Sequence, residues 1–149
     1  MKQAILTVIL VLAFLLAIVF GGVWIGIRRW RRSQIVPFQE GLEKSSEQLV
    51  IGPESVRFRI DGQLSAMELP GLIALTATRL VIRPLAGADK EILIDQIADV
   101  ATNNWFHGNY RSGMTWLIVK RSDGSEIGLI VHNSDLWVSE LKSRMPSSR

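Results

Sequence analysis

The sequence predicts a mainly β fold: a small barrel or sandwich of about seven short strands, plugged by one C-terminal helix and preceded by one transmembrane α-helix. Three observations carry this. Residues 4–27 form an apolar run in which Thr7 is the only polar side chain. From Pro53 onward apolar residues recur with a period of two, broken at short intervals by Gly, Pro and Asp-Gly. After Asn133 the apolar spacing becomes four, placing Trp137, Leu141 and Met145 on one helical face.

The apolar run from Ala4 to Ile27 reaches roughly 36 Å as a helix, enough to cross a hydrocarbon core of about 30 Å with some tilt. A cleaved signal peptide is the competing reading, given Lys2. The run is longer than a signal core, however, and ends in an arginine cluster instead of a small-residue cleavage site. The charges are uneven. Lys2, Arg28, Arg29, Arg31 and Arg32 are the only charged side chains in residues 1–32, giving +5; beyond them 12 Lys or Arg face 14 Asp or Glu, giving −2, so the net +3 comes from the anchor and its flank. Cations resist translocation, so the arginines place the C-terminal domain on the cytoplasmic side of the cell (inner) membrane, with the N-terminus outside. Trp24 and Trp30 bracket that end at headgroup level, and Arg28, Arg29, Arg31 and Arg32 are candidates for contact with anionic lipid headgroups. Small residues at Ala13, Ala17 and Gly21, and again at Gly22 and Gly26, form a ridge where a second helix could approach, which makes a homo-oligomer through this helix an expectation.

Residues 33–52 read as a linker, with Pro37, Gly41, Ser45 and Ser46 among alternating charges, part of which (38–49) can be helical. The domain follows at 53–145, with a tail at 146–149. Val56, Phe58 and Ile60 alternate with Arg57 and Arg59 in the first strand, closed by Asp61-Gly62. A second run, Leu64 to Leu69, is interrupted at Pro70-Gly71. Leu72–Thr76 and Arg79–Arg83 flank a tight turn at Ala77-Thr78. Glu91–Ile94 and Ile97–Ala101 are two more extended pieces. Met114–Lys120 and Glu126–Val131 form a hairpin through Asp123-Gly124, which supplies the positive φ angles of a hairpin turn. Both strands are apolar on two faces, so something covers them. The terminal helix from about Asp135, capped by Asn133 or Ser134 and stopped by Pro146, is that cover.

The runs Gly71–Thr76, Arg79–Pro84 and Ile94–Val100, the Asp123-Gly124 hairpin and the Trp137 helix together resemble bacterial PH-like and related GRAM domains across residues 50–145. In that family a glycine-led strand ends in Leu-Thr, Arg-Leu opens the next, and an Ile-x-x-Ile-x-x-Val piece precedes the last strands and helix. The resemblance implies a PH-like barrel of about seven strands capped by a helix, with no catalytic motif. Inositol-lipid binders of the family carry several cations on the first two strands and their loop. Here Arg57 and Arg59 are the headgroup candidates, while Asp61-Gly62-Gln63 supplies no cation and Glu68 opposes them.

Other chemistry is sparse. The chain has no cysteine, and its two histidines, His107 and His132, lack metal-ligand spacing, so no metal or cofactor is implied. Asp95 lies four residues from both Glu91 and Asp99, but no nucleophile or oxyanion motif accompanies them. The mildly acidic domain lacks a phosphate-neutralising surface, which argues against nucleic acid. The best site candidate is the aromatic loop containing Trp105, Phe106, His107 and Tyr110, whose rings either present a partner-binding surface or fold back to seal one end of the barrel. The expected function is a non-enzymatic, membrane-anchored binding module, an accessory or scaffold subunit docking a protein partner at the cytoplasmic membrane face. A sensor of anionic lipid headgroups, using Arg57, Arg59, Arg79 or Arg83, is the second reading. A hydrolase is the third and needs a deep pocket with converging carboxylates.

Overall fold

The structure, a computed structural model, describes residues 2–60, 68–110 and 112–146, with side chains described from residue 10. The chain divides into two units, Met1–Gln34 and Ile35–Arg149. The described part of the first unit is helical: helix α1 spans Lys2–Lys44, and its apolar part is long and apolar enough to cross a membrane by length and composition. From residue 10 to residue 25 its large side chains, among them Phe14, Phe20 and Trp24, are exposed.

Helical structure continues past Gln34, through Pro37 and Gly41, where the sequence suggests a tether. Pro37 has no N–H, so one intrahelical bond is lost there. Phe38 and Leu42, one turn apart, are nonetheless buried at 1% and 5% exposure, and the Arg83 guanidinium stacks 4.5 Å from the Phe38 ring centroid. Burial of two large side chains outweighs the local cost of proline and glycine. Ser45 N–H and Ser46 N–H close the helix by donating to Leu42 and Glu43 carbonyls.

Seven strands make one antiparallel sheet. They are β1 (Leu49–Ile60), β2 (Leu69–Thr76), β3 (Arg79–Pro84), β4 (Lys90–Leu93), β5 (Ile97–Asn103), β8 (Trp116–Arg121) and β9 (Glu126–Ile130), in the order β4-β3-β2-β1-β9-β8-β5. A separate two-stranded ribbon, β6 (Trp105–Phe106) with β7 (Asn109–Tyr110), interrupts the path from β5 to β8. Helix α2 (Ser134–Arg144) ends the fold, its N-terminus capped by Asn133, whose side chain accepts from Leu136 N–H. The barrel is not closed: β4 and β5 are the two edges of the sheet, joined in sequence by the 3₁₀ turn Ile94–Gln96 and not by strand pairing.

Two strands depart from the sequence reading. β1 begins at Leu49, within the expected linker, because Leu49 and Ile51 pair with Thr76 and Leu75 across a bulge. Gly52 lies in a second irregularity, between Ile51 and Glu54, at φ +86°, and a Cβ there would lie 2.6 Å from the Ile73 carbonyl oxygen. β2 runs through Pro70-Gly71 instead of breaking there; Pro70 is the second residue of the strand, where a missing N–H is tolerated. The expected run from Leu64 falls on residues 64–67, outside the described residues.

One sheet face builds the core. Val56, Phe58, Ile73, Leu75, Leu80, Ile82, Val100, Leu117, Val119 and Leu129 pack with Trp137 and Leu141 of α2, so the terminal helix covers this face. Glu54 on β1 fastens it, one carboxylate oxygen accepting from the Trp137 indole N–H and the His132 backbone N–H, both at 3.0 Å. On the opposite face Leu72, Ala74 and Val81 are also buried, beside Arg83 and the Phe38 ring it covers. The β2–β3 turn is closed by Thr76, whose hydroxyl donates to the Arg79 carbonyl and accepts from Thr78 and Arg79 N–H. Arg79 in turn pairs with Glu47 and Glu91, tying the segment after α1 to this turn. Burial alone would raise the Glu47 carboxyl, but hydrogen bonds from Thr76, Arg79 and Thr78 and the Arg79 charge hold it below its ordinary value.

Candidate functional site

The aromatic loop is a hairpin. His107 and Gly108 both have positive φ, +43° and +84°, which is the geometry of a two-residue turn matched to strand twist. The sequence reading assigned such angles to Asp123-Gly124. There only Gly124 is positive, and the four residues 122–125 join β8 to β9 with Arg121 N–H donating to the Ser125 carbonyl. Asp123 instead acts as an acceptor for the Ser125 N–H and hydroxyl, which hold its carboxyl below the ordinary range.

The four candidate side chains of the hairpin separate into two kinds. Trp105 and Tyr110 face each other across it and stand in solvent, 53% and 62% exposed. Phe106 is 2% exposed and folds back onto the outer face of the sheet, edge-on to His107 at 4.4 Å and tilted against Trp116 at 5.4 Å between ring centroids. Gly128 on β9 makes this seat: a Cβ there would come within 2.4–2.9 Å of three Phe106 ring atoms. Asn103 fixes the hairpin's base, its side-chain oxygen accepting from Trp105 N–H at 3.1 Å. His107 Nε2 lies 3.4 Å from a Glu126 carboxylate oxygen. The hairpin is thereby pinned at both ends, with one aromatic pair left outside.

Beneath it lies an open cleft of about 500 Å³. Its wall is Trp105, Phe106 and His107; its floor is the outer face of β5, β8 and β9, from Asn103, Ala101 and Ile118 at one end to Asp99, Lys120 and Glu126 at the other. Strand register sets those three charges side by side, Asp99 opposite Lys120 and Lys120 opposite Glu126. The cleft thus has an apolar, aromatic end and a charged end.

The remaining candidates lie elsewhere. Arg28, Arg29 and Arg32 line a shallow groove on α1 with Trp24 and Ile25, while Arg31 is half-buried. Ala13, Ala17, Gly22 and Gly26 are exposed, and a Cβ at Gly21, Gly22 or Gly26 would meet nothing within 4 Å among the described residues. Arg57 sits 3.9 Å from Glu68, and Arg59 is half-buried on the same strand. Arg83 is held by Asp89 through three hydrogen bonds. Asp95 and Asp99 are exposed and Glu91 is engaged by Arg79. Among the described residues no three His, Cys, Asp or Glu side chains are placed to hold a metal ion. Asp61-Gly62-Gln63 and Arg111 lie outside the described residues.

Sequence reasoning missed Gly128, Glu54 and Glu47. A glycine inside the apolar run Ile127–Ile130 does signal a close approach of another group; a lone Glu in a strand signals nothing until its partners, 78 and 83 residues away, are known.

No protein-family model matches this sequence, and no curated protein is significantly similar to it. Among solved structures, the chain is similar to the crystal structure of the C-terminal domain of an unknown protein from Leishmania infantum. The identity is 20% and the TM-score 0.50, covering 72% of this chain and 93% of that one. That likeness concerns the fold.

Proposed function

We propose that this chain is a non-enzymatic, membrane-anchored PH-like module whose aromatic hairpin docks a protein partner at the cytoplasmic membrane face, as an accessory or scaffold subunit of a membrane complex. One observation carries the reading: Trp105 and Tyr110 project as an exposed pair from a hairpin immobilised by Phe106 in the gap over Gly128. Rigid, exposed aromatics bind with little loss of conformational entropy, and they dominate protein interfaces. The anchor raises the effective concentration of the domain for partners in the same membrane. The arginines after the span support the cytoplasmic orientation, and the motif residues behind the PH-like reading stand on β2, β3, β5, the β8–β9 turn and α2.

The lipid-sensor reading is weaker because three of its four domain cations are already engaged: Arg57 by Glu68, Arg79 by Glu47 and Glu91, Arg83 by Asp89. A headgroup phosphate would have to displace those carboxylates. The test of the docking reading is a photo-crosslinker at Tyr110 of the full chain in its native membrane. A discrete adduct that disappears with Trp105→Ala is expected. A chain that crosslinks only to lipid, or to nothing, would overturn the proposal.

A further inference from the structure

The four arginines that follow the apolar stretch of α1 are alike in sequence and unlike in place. Arg28, Arg29 and Arg32 open onto one groove of about 260 Å³ whose other lining is Trp24 and Ile25; Arg31 is not part of it and is half-buried. Helical spacing explains the division. Trp24, Arg28 and Arg32 recur every four residues as one row, and Ile25 and Arg29 as the next, so the groove is the furrow between two neighbouring rows.

The two ends of the groove differ chemically. Trp24 and Ile25, 62% and 66% exposed, present aromatic and aliphatic surface toward the apolar stretch. An indole settles at headgroup level in a bilayer, which sets the next turn, Arg28 and Arg29, among the lipid phosphates. Arg32 stands one turn, about 6 Å, farther from the apolar stretch. All three arginines are exposed, and among the described residues none makes an ion pair or a side-chain hydrogen bond. The first acidic residue of the chain, Glu40, lies more than two turns beyond Arg32. Arg57, Arg79 and Arg83 are in the opposite state, already held by carboxylates. An anion entering the groove on α1 displaces none.

We infer that this groove holds one anionic phospholipid whose headgroup carries two phosphates at successive depths, the inner received by Arg28 and Arg29 and the outer by Arg32, with the start of an acyl chain against Trp24 and Ile25. Guanidinium groups pair with phosphate through two parallel hydrogen bonds, which fixes geometry as well as charge. Bulk attraction to a charged leaflet would use all four arginines alike, whereas the groove leaves Arg31 out. The site needs only that α1 spans the membrane, and it stands apart from hairpin docking.

The experiment places the full chain in nanodiscs of phosphatidylcholine with equal minor amounts of phosphatidylglycerol, which has one phosphate, and phosphatidylglycerol phosphate, which has a second on the same headgroup. Native mass spectrometry then reads which lipid stays bound when the bilayer is stripped away. The two-phosphate lipid is expected to be retained roughly tenfold or more over the one-phosphate lipid. Arg32→Gln should bring the two within about twofold of each other, Arg28→Gln or Arg29→Gln should lower retention of both, and the charge-matched Arg31→Gln should change neither. Glutamine matches arginine closely in helix propensity, and three arginines remain after the span, so each variant keeps its helix and its anchor. Equal retention of the two lipids by the unaltered chain would overturn the inference. So would a loss in Arg31→Gln as large as that in Arg32→Gln, which would leave bulk attraction alone. Release of the bound lipid by inorganic phosphate would also overturn it, because the groove would then serve a soluble anion.

Discussion

Replacing Gly128 by alanine tests how the hairpin is held. The new methyl carbon would sit 2.4, 2.6 and 2.9 Å from three ring atoms of Phe106, closer than carbon atoms approach, so the ring must leave its seat. Phe106 is 2% exposed there, and uncovering a phenylalanine costs about 1.5–3 kcal/mol. Alanine loses less backbone entropy on folding than glycine, which returns about 0.5–1 kcal/mol. Gly128→Ala should therefore destabilise the domain by about 1–2 kcal/mol in urea unfolding of the full chain in detergent. In a Phe106→Ala background the clash is absent, and the same substitution should become neutral or stabilising, by up to about 0.5–1 kcal/mol. This sign change is specific to the ring seat. If Gly128→Ala costs the same with and without the Phe106 ring, the seat does not exist as described, and the rigid presentation of Trp105 and Tyr110 goes with it.

Glu54→Ala should cost about 1–3 kcal/mol, because the fully buried Trp137 indole N–H loses its acceptor; Glu54→Gln keeps an acceptor oxygen and should cost less, a ranking that equilibrium unfolding reads directly. The Glu47 carboxyl is held below its ordinary value of 4.5, so its contribution to stability is complete above that pH and is lost as pH falls through the lowered value. Glu47→Gln should flatten the stability profile in that acidic window and leave its shape above it unchanged. Trp105→Ala, at an exposed position, should change stability by less than about 0.5 kcal/mol while abolishing the crosslink from position 110. The chain has no cysteine, so Lys142→Cys on the exposed side of α2 is a unique label for topology. It should be shielded from an impermeant maleimide in intact cells and become accessible when Arg28, Arg29, Arg31 and Arg32 are all changed to Asn.

Strand alternation was the most readable feature of the domain. Val56 and Phe58 inward against Arg57 outward, and Trp137 with Leu141 on one face of a terminal helix, follow from periods of two and four, and both sets are placed that way. The turn at Ala77-Thr78 was equally plain. The continuation of helix through Pro37 and the passage of β2 through Pro70-Gly71 were not, because punctuation residues carry a local preference of a few kcal/mol at most. Burial of Phe38 and Leu42 in one case, and pairing to β1 and β3 on both sides in the other, exceeds it. Within the candidate site the sequence marked the aromatic cluster but left open whether its rings project or seal the fold. Both occur: Phe106 seals, while Trp105 and Tyr110 project.

Properties that depend on a residue and its near neighbours along the chain were determined by the sequence alone. These are a helix long and apolar enough to span a membrane, the charge asymmetry beside it, short amphipathic strands, and a capped final helix. Tertiary structure decided everything that depends on residues distant in sequence arriving at one place: the order that leaves β4 and β5 as the sheet's edges, the gap at Gly128 that receives Phe106, and the row Asp99, Lys120, Glu126 drawn from three strands. Periodicity sets which face a side chain takes. It does not set what lies opposite, because strand neighbours are chosen by the packing of the whole sheet.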